Sequence, residues 1–313
     1  MRVSTAYSFD STVYELQRRQ DELTHAQEQM NSGKRVLKPG DDPTAAAQAE
    51  RALVEEARGK QLQRTIDNSR NVMGLTESAL GSAIELSQQA REALVLAGNG
   101  SYTDSGRRAL AETLKQARDE LFSVSNQTDA AGNLLFGRQG ENSARYIKVP
   151  GASPDDWTVS SDAAGGRLEG VYSDAGTPRE NLPLSIEGRD TWLGGSTDVF
   201  TTLNNAIGLL QTDGATNEQV SQAVTDGIAG LDSVLDRFQS TRAEVGAILN
   251  GIDSIESRNS GRILAAQTTR SNVEDIDMVE AISSFTNKQT SYQAALQSYA
   301  MVQKLSLFNY ING

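Results

Sequence analysis

The stretch NSGKRVLKPGDDPTAAA, Asn31 to Ala47, admits two readings. A Gly–Lys pair (Gly33, Lys34), the basic Arg35 and Lys38, and the adjacent carboxylates of Asp41 and Asp42 suggest a phosphate or metal site. The same residues also make a connector between two helices. Asn31-Ser32-Gly33 ends a helix, because glycine readily takes the left-handed conformation found just past helix C-termini. Asp42 has an N-cap side chain, and Pro43 sits at a first helical position, where its missing N–H costs nothing. Both aspartates also lie at the positive end of the following helix dipole. The phosphate reading lacks the GxxxxGK[ST] frame. The metal reading lacks the several convergent oxygens, at DxDxDG-like spacing, that a divalent ion needs. The connector reading accounts for the residues more fully, and it predicts a long helix on each side.

The flanks carry that pattern. Before the connector, Phe9, Val13, Leu16, Gln20, Leu23, Gln27 and Met30 follow 3-4 heptad spacing. After it the spacing resumes as Leu62, Ile66, Ser69, Met73, Thr76, Leu80, Ala83, Ser87, Ala90, Leu94 and Ala97. Gly98 to Gly106 (GNGSYTDSG) reads as a turn. Leu110, Leu114, Ala117, Leu121, Val124, Thr128, Ala131 and Leu135 then continue the stripe. The second half mirrors this with Val224, Ile228, Leu231, Leu235, Phe238, Arg242, Val245, Leu249 and Ile252. The stripe weakens around Glu256, Asn259 and Gly261, which predicts a break or soft point. It returns as Met278, Ile282, Phe285, Gln289, Tyr292, Leu296 and Tyr299. Stripes this long predict coiled-coil-like packing of long helices.

The middle, about Arg138 to Asp198, differs. It holds Pro150, Pro154, Pro178 and Pro183 and both tryptophans, Trp157 and Trp192. Runs such as ARYIKVP, DWTVS and LPLSIEG alternate apolar with polar residues between turn formers, which predicts strands. The expected fold class is therefore mainly α: a long coiled-coil-like helical bundle formed by the N- and C-terminal parts, with a small β-rich inserted middle domain. The terminal arms bury one stripe each, too little to offset the conformational entropy of ordering them. They are expected to order when another helix or another chain covers that stripe.

Composition removes other functions. With a formal charge of -12 the chain repels a phosphate backbone, and no Lys/Arg stripe compensates, so no nucleic-acid partner is expected. The absence of cysteine excludes disulfides, thiolate catalysis and zinc–cysteine sites. No window approaches 18 consecutive apolar residues, so no membrane insertion is expected. The N-terminus has no basic region followed by an apolar core, so no cleavable signal peptide is expected. The single histidine, His25, lies mid-helix outside the seam and has no partners for a triad or metal site. Asn99-Gly100-Ser101 and Asn126-Gln127-Thr128 are formal glycosylation sequons, matches short enough to arise by chance. No catalytic residues, cofactor or metal are expected, and the chain is not read as an enzyme.

Four segments together resemble the flagellin family: MNSGKRVLKPGDDPTAAAQA, SNQTDAAGNLLFGR, RAEVGAILNGID and RSNVEDIDMVEA. The resemblance covers about residues 1–137 and 218–313, in order at both ends. Three details are similar to the branch of the family that sits at the hook–filament junction: Pro43 after Asp42, the segment NLLFGR, and the ending QAALQSYAMVQKLSLFNYING. The resemblance implies export in an unfolded state through the flagellar type III apparatus, without a cleavable signal peptide, and a place in the extracellular flagellum. It implies as partners the first hook-associated protein, flagellin, copies of the same chain in a helical ring, and an export chaperone. It further implies a layout of terminal arms (1–38 with 275–313), a helical bundle (39–137 with 199–274) and an outer variable domain (138–198). The connector residues are then Ser32, Gly33, Lys34, Arg35, Asp41, Asp42 and Pro43. The arm residues are Phe9, Val13, Leu16, Leu23, Met30, Met278, Ile282, Phe285, Tyr292, Leu296, Tyr299, Leu307, Phe308 and Tyr310. The alternatives are a small flagellin that forms the filament itself and a cytoplasmic coiled-coil scaffold.

Overall fold

The computed structural model describes residues 2–137, 146–150, 157–161, 182–194 and 198–311, with the side chains of 2–6, 8–9, 150, 157–161 and 302–311 left out. Among these residues are seven helices: α1 (Arg2–Ser32), α2 (Pro43–Ala97), α3 (Asp104–Ser125), α4 (Arg189–Leu193), α5 (Val199–Leu210), α6 (Asn217–Glu274) and α7 (Met278–Ile311). Strands β1 (Tyr146–Pro150) and β2 (Trp157–Ser161) pair antiparallel, with Tyr146 opposite Ser161 and Pro150 opposite Trp157. The chain divides into two compact units, Met1–Lys60 with Ser260–Gly313 and Gln61–Asn259.

In the second unit the heptad spacing of the sequence is the core. Ile66, Ser69, Met73, Thr76, Leu80, Ala83, Ser87, Ala90, Leu94 and Ala97 are all buried along α2. Serine and threonine can occupy this seam because their hydroxyls find acceptors: Thr76 and Ser87 donate to the carbonyls of Val72 and Ala83, each at 2.8 Å, and Ser69 donates to Pro183 at 2.6 Å. Leu114, Ala117 and Leu121 of α3 and Leu231, Leu235, Phe238, Val245 and Ile252 of α6 join the same core. Helix α5 lies against α3 and α6. Gly230 lets α6 approach α5 closely, since a Cβ there meets Thr202 Cγ2 at 2.6 Å.

Four expectations need correction. Helix α3 stops at Ser125, so Thr128 and Ala131 are exposed and not in a helical seam. Turn chemistry wins there: the Asp129 carboxylate accepts from the amides of Ala131 and Asn133, both at 2.8 Å, and Gly132 takes φ +85°. Helix α6 runs without a break through Glu256, Asn259 and Gly261, because Asn259 is buried and donates to Gln63 at 3.1 Å. LPLSIEG forms no strand. Leu182, Ile186 and Trp192 enter the helical core, where Trp192 meets the rings of Phe136, Phe200 and Phe238 at centroid distances of 5.4, 6.4 and 4.9 Å. An indole of this size buries more area inside a core than on a small sheet can cover, so residues 182–194 belong with the helices. The β-rich middle is thereby reduced to one two-stranded sheet among the described residues, and Pro154 and Pro178 lie outside them.

Phe238→Ala opens a cavity beneath Trp192 and is expected to destabilise the second unit by about 3–5 kcal/mol. Urea unfolding followed by far-UV circular dichroism measures this.

Candidate functional site

Helix α1 ends where Gly33 takes φ +71°. The Ser32 hydroxyl donates to the Gln29 carbonyl at 3.1 Å and accepts the Lys34 amide at 3.2 Å. The chain then runs against the short link between α6 and α7. The Gly33 carbonyl accepts from the Ile276 amide at 3.0 Å, the Arg35 amide donates to the Glu274 carbonyl at 2.7 Å, and Lys34 and Asp275 form an antiparallel bridge. Side chains reinforce the pairing. Lys34 Nζ reaches the Glu274 carboxylate at 2.5 Å, and the Arg35 guanidinium donates to the Val273 carbonyl at 2.9 Å. The SGKR and NVEDID segments, some 240 positions apart, thus form one structure. Read along the chain they look like two unrelated interruptions. The signal that links them is that each exposes unpaired backbone groups between two helices, a need that one can meet for the other.

Asp41 and Asp42 point to different tasks. The Asp41 carboxylate accepts from the amides of Leu37 and Lys38, both at 2.9 Å, and these bonds hold its carboxyl below the usual range. His25 lies 3.8 Å from it. Asp42 Oδ1 accepts from the Ala45 amide at 3.0 Å and the Thr44 hydroxyl at 2.7 Å, with Arg35 at 3.3 Å from Oδ2. The Ala45 bond leads in lowering its pKa to about 2. Asp42 therefore caps α2, whose first residue is Pro43. Asp277 does the same for α7, accepting from the Val279 amide at 2.9 Å. Among the described residues no three His, Cys, Asp or Glu side chains gather as a metal site.

A group that sequence reasoning missed lies beside the connector. Glu56, nearly buried, accepts from Lys60 at 2.7 Å, Arg270 at 3.0 Å and Gln267 at 3.1 Å. Arg270 also approaches Glu274 at 3.9 Å. The i,i+4 pair Glu56–Lys60 was the visible signal.

Leaving the connector, α1 and α7 run antiparallel and pack together. The α1 face turned to its partner comprises Val13, Leu16, Arg19, Leu23, Ala26 and Met30. Gln20 and Gln27 are exposed, so the 3-4 repeat passes through Arg19 and Ala26 and not through the glutamines. On α7 the inward residues are Ala281, Phe285, Lys288, Tyr292, Ala295 and Tyr299. Met278, Ile282 and Leu296 face outward at 44%, 50% and 42% exposure. A groove of about 600 Å³ between the helices is lined by Arg19, Glu22, Ser284, Asn287 and Lys288 among others. The side chains of Phe9, Leu307, Phe308 and Tyr310 lie outside the described residues. The pair thus uses one apolar stripe of α7 and leaves a second one uncovered.

The described residues of this region thus form caps, backbone bridges and ion pairs that join helices, beside one uncovered apolar stripe. The bacterial flagellin N-terminal helical region matches residues 3–140, and the bacterial flagellin C-terminal helical region matches residues 228–311. The chain belongs to the bacterial flagellin family, a family of structural flagellar proteins. Among curated relatives it is similar to flagellar hook-associated protein 3 of Escherichia coli, 30% identical over 98% of this chain and 99% of that one. Among solved structures it shares the fold of a putative flagellar hook-associated protein from Vibrio parahaemolyticus (TM-score 0.63, 20% identity, 75% of this chain and 100% of that one). It also shares the fold of the flagellar junction protein FlgL from Legionella pneumophila (TM-score 0.56, 13% identity, 73% of this chain and 100% of that one).

Because its folded-state pKa is depressed, Asp42 contributes cap stability that is complete above the ordinary value near 3.8 and is lost as pH falls toward about 2. The protection of the Ala45 and Ala46 amides, taken relative to their intrinsic exchange at each pH, is expected to fall through that window in the parent. In Asp42→Ala their exchange is expected to be about fivefold faster already at neutral pH, the usual cost of a lost cap. Calorimetric titration with divalent ions is expected to show no stoichiometric binding to either.

Proposed function

We propose that this chain joins the flagellar hook, through the first hook-associated protein, to the flagellin filament. The observation that carries this reading is the identity to flagellar hook-associated protein 3 along nearly the full length of both chains. The uncovered apolar stripe of α7 supports it, since a monomer has no use for Met278, Ile282 and Leu296 in water and a helical ring of copies does. In this reading the arms, 1–38 with 275–313, pack into an inner tube. The bundle of 39–137 with 199–274 surrounds it, and an outward element is drawn from residues 138–181. The connector, Ser32 to Pro43, links α1 of the arms to α2.

The family resemblance further supports a reading of export. The chain leaves the cell unfolded and reaches the extracellular flagellum; a chaperone covers the C-terminal arm until then. The absence of cysteine spares the exported chain any thiol chemistry. In the free subunit the arm pair is the weakest part. Its inward residues Leu16, Leu23, Phe285 and Tyr292 are only partly buried even when paired, so pairing offsets only part of the ordering entropy.

Immunogold labelling tests the assignment: a single band at the end of the hook is expected. Label along the whole filament identifies a filament flagellin instead, and label inside the cell identifies a scaffold. In the verified monomer, amide exchange is expected to be fast over 2–32 and 278–311 and slow over 62–97 and 224–252. Ile282→Asp is expected to leave the melting of the monomer nearly unchanged while abolishing incorporation at the hook tip. Normal incorporation of this variant removes the α7 stripe from the assembly surface.

A further inference from the structure

The turn after α2 holds an Asn-Gly pair whose neighbours favour a reaction. Asn99 and Gly100 are both exposed. The Asn99 amide donates to the Leu96 carbonyl at 3.1 Å, and its carbonyl accepts from the Tyr102 amide at 3.1 Å, so the backbone of Asn99 is held on both sides. Its side-chain Oδ1 accepts from the Ser101 amide at 3.1 Å. That bond polarises the side-chain carbonyl and is placed to stabilise negative charge on Oδ1 during attack at Cγ. Among the described residues neither the Gly100 N–H nor Asn99 Nδ2 has a hydrogen-bond partner. Nothing crowds Gly100: the nearest atom to a Cβ built there is Asn217 Nδ2 at 4.0 Å.

We propose that Asn99 is a site of spontaneous deamidation. The Gly100 nitrogen loses its proton and attacks Asn99 Cγ, forming a C–N bond. The Cγ–Nδ2 bond then breaks and ammonia leaves, which closes a succinimide. Water opens the ring at either carbonyl and leaves aspartate or isoaspartate at position 99. No catalyst or co-reactant besides water is needed. The product adds one negative charge just beyond the C-terminal end of α2, the negative end of its dipole. The isoaspartate form also lengthens the backbone of the turn that leads into the Thr103 cap of α3.

The fold supplies its own control. Asn250 and Gly251 are equally exposed but lie inside α6, where the Gly251 N–H is committed to the helical ladder. Asn126, the other sequon asparagine, is occupied as well: its amide donates to the Tyr146 carbonyl and accepts the Tyr146 amide, each at 3.0 Å. Selection among these asparagines therefore comes from backbone commitment rather than exposure.

The test is to incubate the full chain in mildly alkaline buffer, digest it with trypsin under acidic conditions, and compare peptides 92–107 and 243–258 by mass spectrometry. Peptide 92–107 is expected to acquire the amide-to-acid mass gain, with isoaspartate, at least about tenfold faster than peptide 243–258, which reacts only when α6 opens locally. Incubation in concentrated urea is expected to equalise the two. Gly100→Ala, whose Cβ fits the turn, is expected to suppress the gain in 92–107. Equal rates in the folded protein, or a difference that persists in urea, overturns the proposal.

Discussion

The arm-bearing unit depends on one set of backbone bonds, those between Gly33–Arg35 and Glu274–Ile276. Both segments are short gaps between helices, and each leaves helix-end groups without partners inside its own helix. Pairing the gaps satisfies both. It also brings the first and last helices of the chain to one point, with Gly33 turning α1 away at φ +71°. Asp42 and Asp277 then start α2 and α7 from either side of that bridge. Charge is arranged to serve this geometry: Lys34 meets Glu274, and Arg270 spans Glu56 and Glu274. Several of these groups are exposed enough that each pair contributes little by itself. Their value lies in fixing which residues of two distant segments face one another.

In the second unit, specificity comes from shape and from buried polar groups that find partners. The 0%-exposed Trp192 packs among three phenylalanine rings from the turn after α3, from α5 and from α6. Ser69 reaches out of its helix to the Pro183 carbonyl, which anchors the 182–194 segment to α2. At the end of this unit the α2–α6 contact turns polar. Gln63 bonds Glu256 at 2.8 Å, Asn259 bonds Gln63, and Arg70 spans Asp253 and Glu256. A misaligned pair of helices takes the buried Asn259 away from Gln63 and separates the partly exposed ion pairs around it, so these groups favour one register where an apolar seam tolerates several.

Much of this was legible because heptad spacing reports burial directly. Every α2 seam position from Ile66 to Ala97 is buried, and the caps at Asp42 and Gly33 follow from local residue chemistry. What was not legible has four physical causes. Period alone does not end a helix, so α3 appeared to run on until the side chain of Asp129 captured the backbone. Alternation in LPLSIEG resembled a strand, yet Leu182 and Ile186 are buried by tertiary packing that no local pattern records. The polar residues at 256–261 resembled a break because a polar seam residue is ambiguous until its partner across the interface, Gln63, is known. The connector was recognised as a link, but its pairing with Glu274 and Asp275 is long-range and leaves no spacing to read.

The arms show how the same ambiguity becomes a property. Heptad spacing in α7 fits two stripes one step apart: Ala281, Phe285, Lys288, Tyr292 and Ala295, and Met278, Ile282, Gln289 and Leu296. A lone pair of helices can bury only one, and α1 covers the first. That stripe includes Lys288, opposite an α1 face that includes Arg19. Two cations on facing surfaces weaken the pair unless carboxylates such as Glu22 and Glu280 in the same groove offset them. The second stripe carries no charge, and its apolar members are the more exposed. The better hydrophobic surface is thus the one the isolated chain leaves open. Helix α7 therefore gains more from further helices than from α1 alone, and its order is tied to whatever covers Ile282 and Leu296.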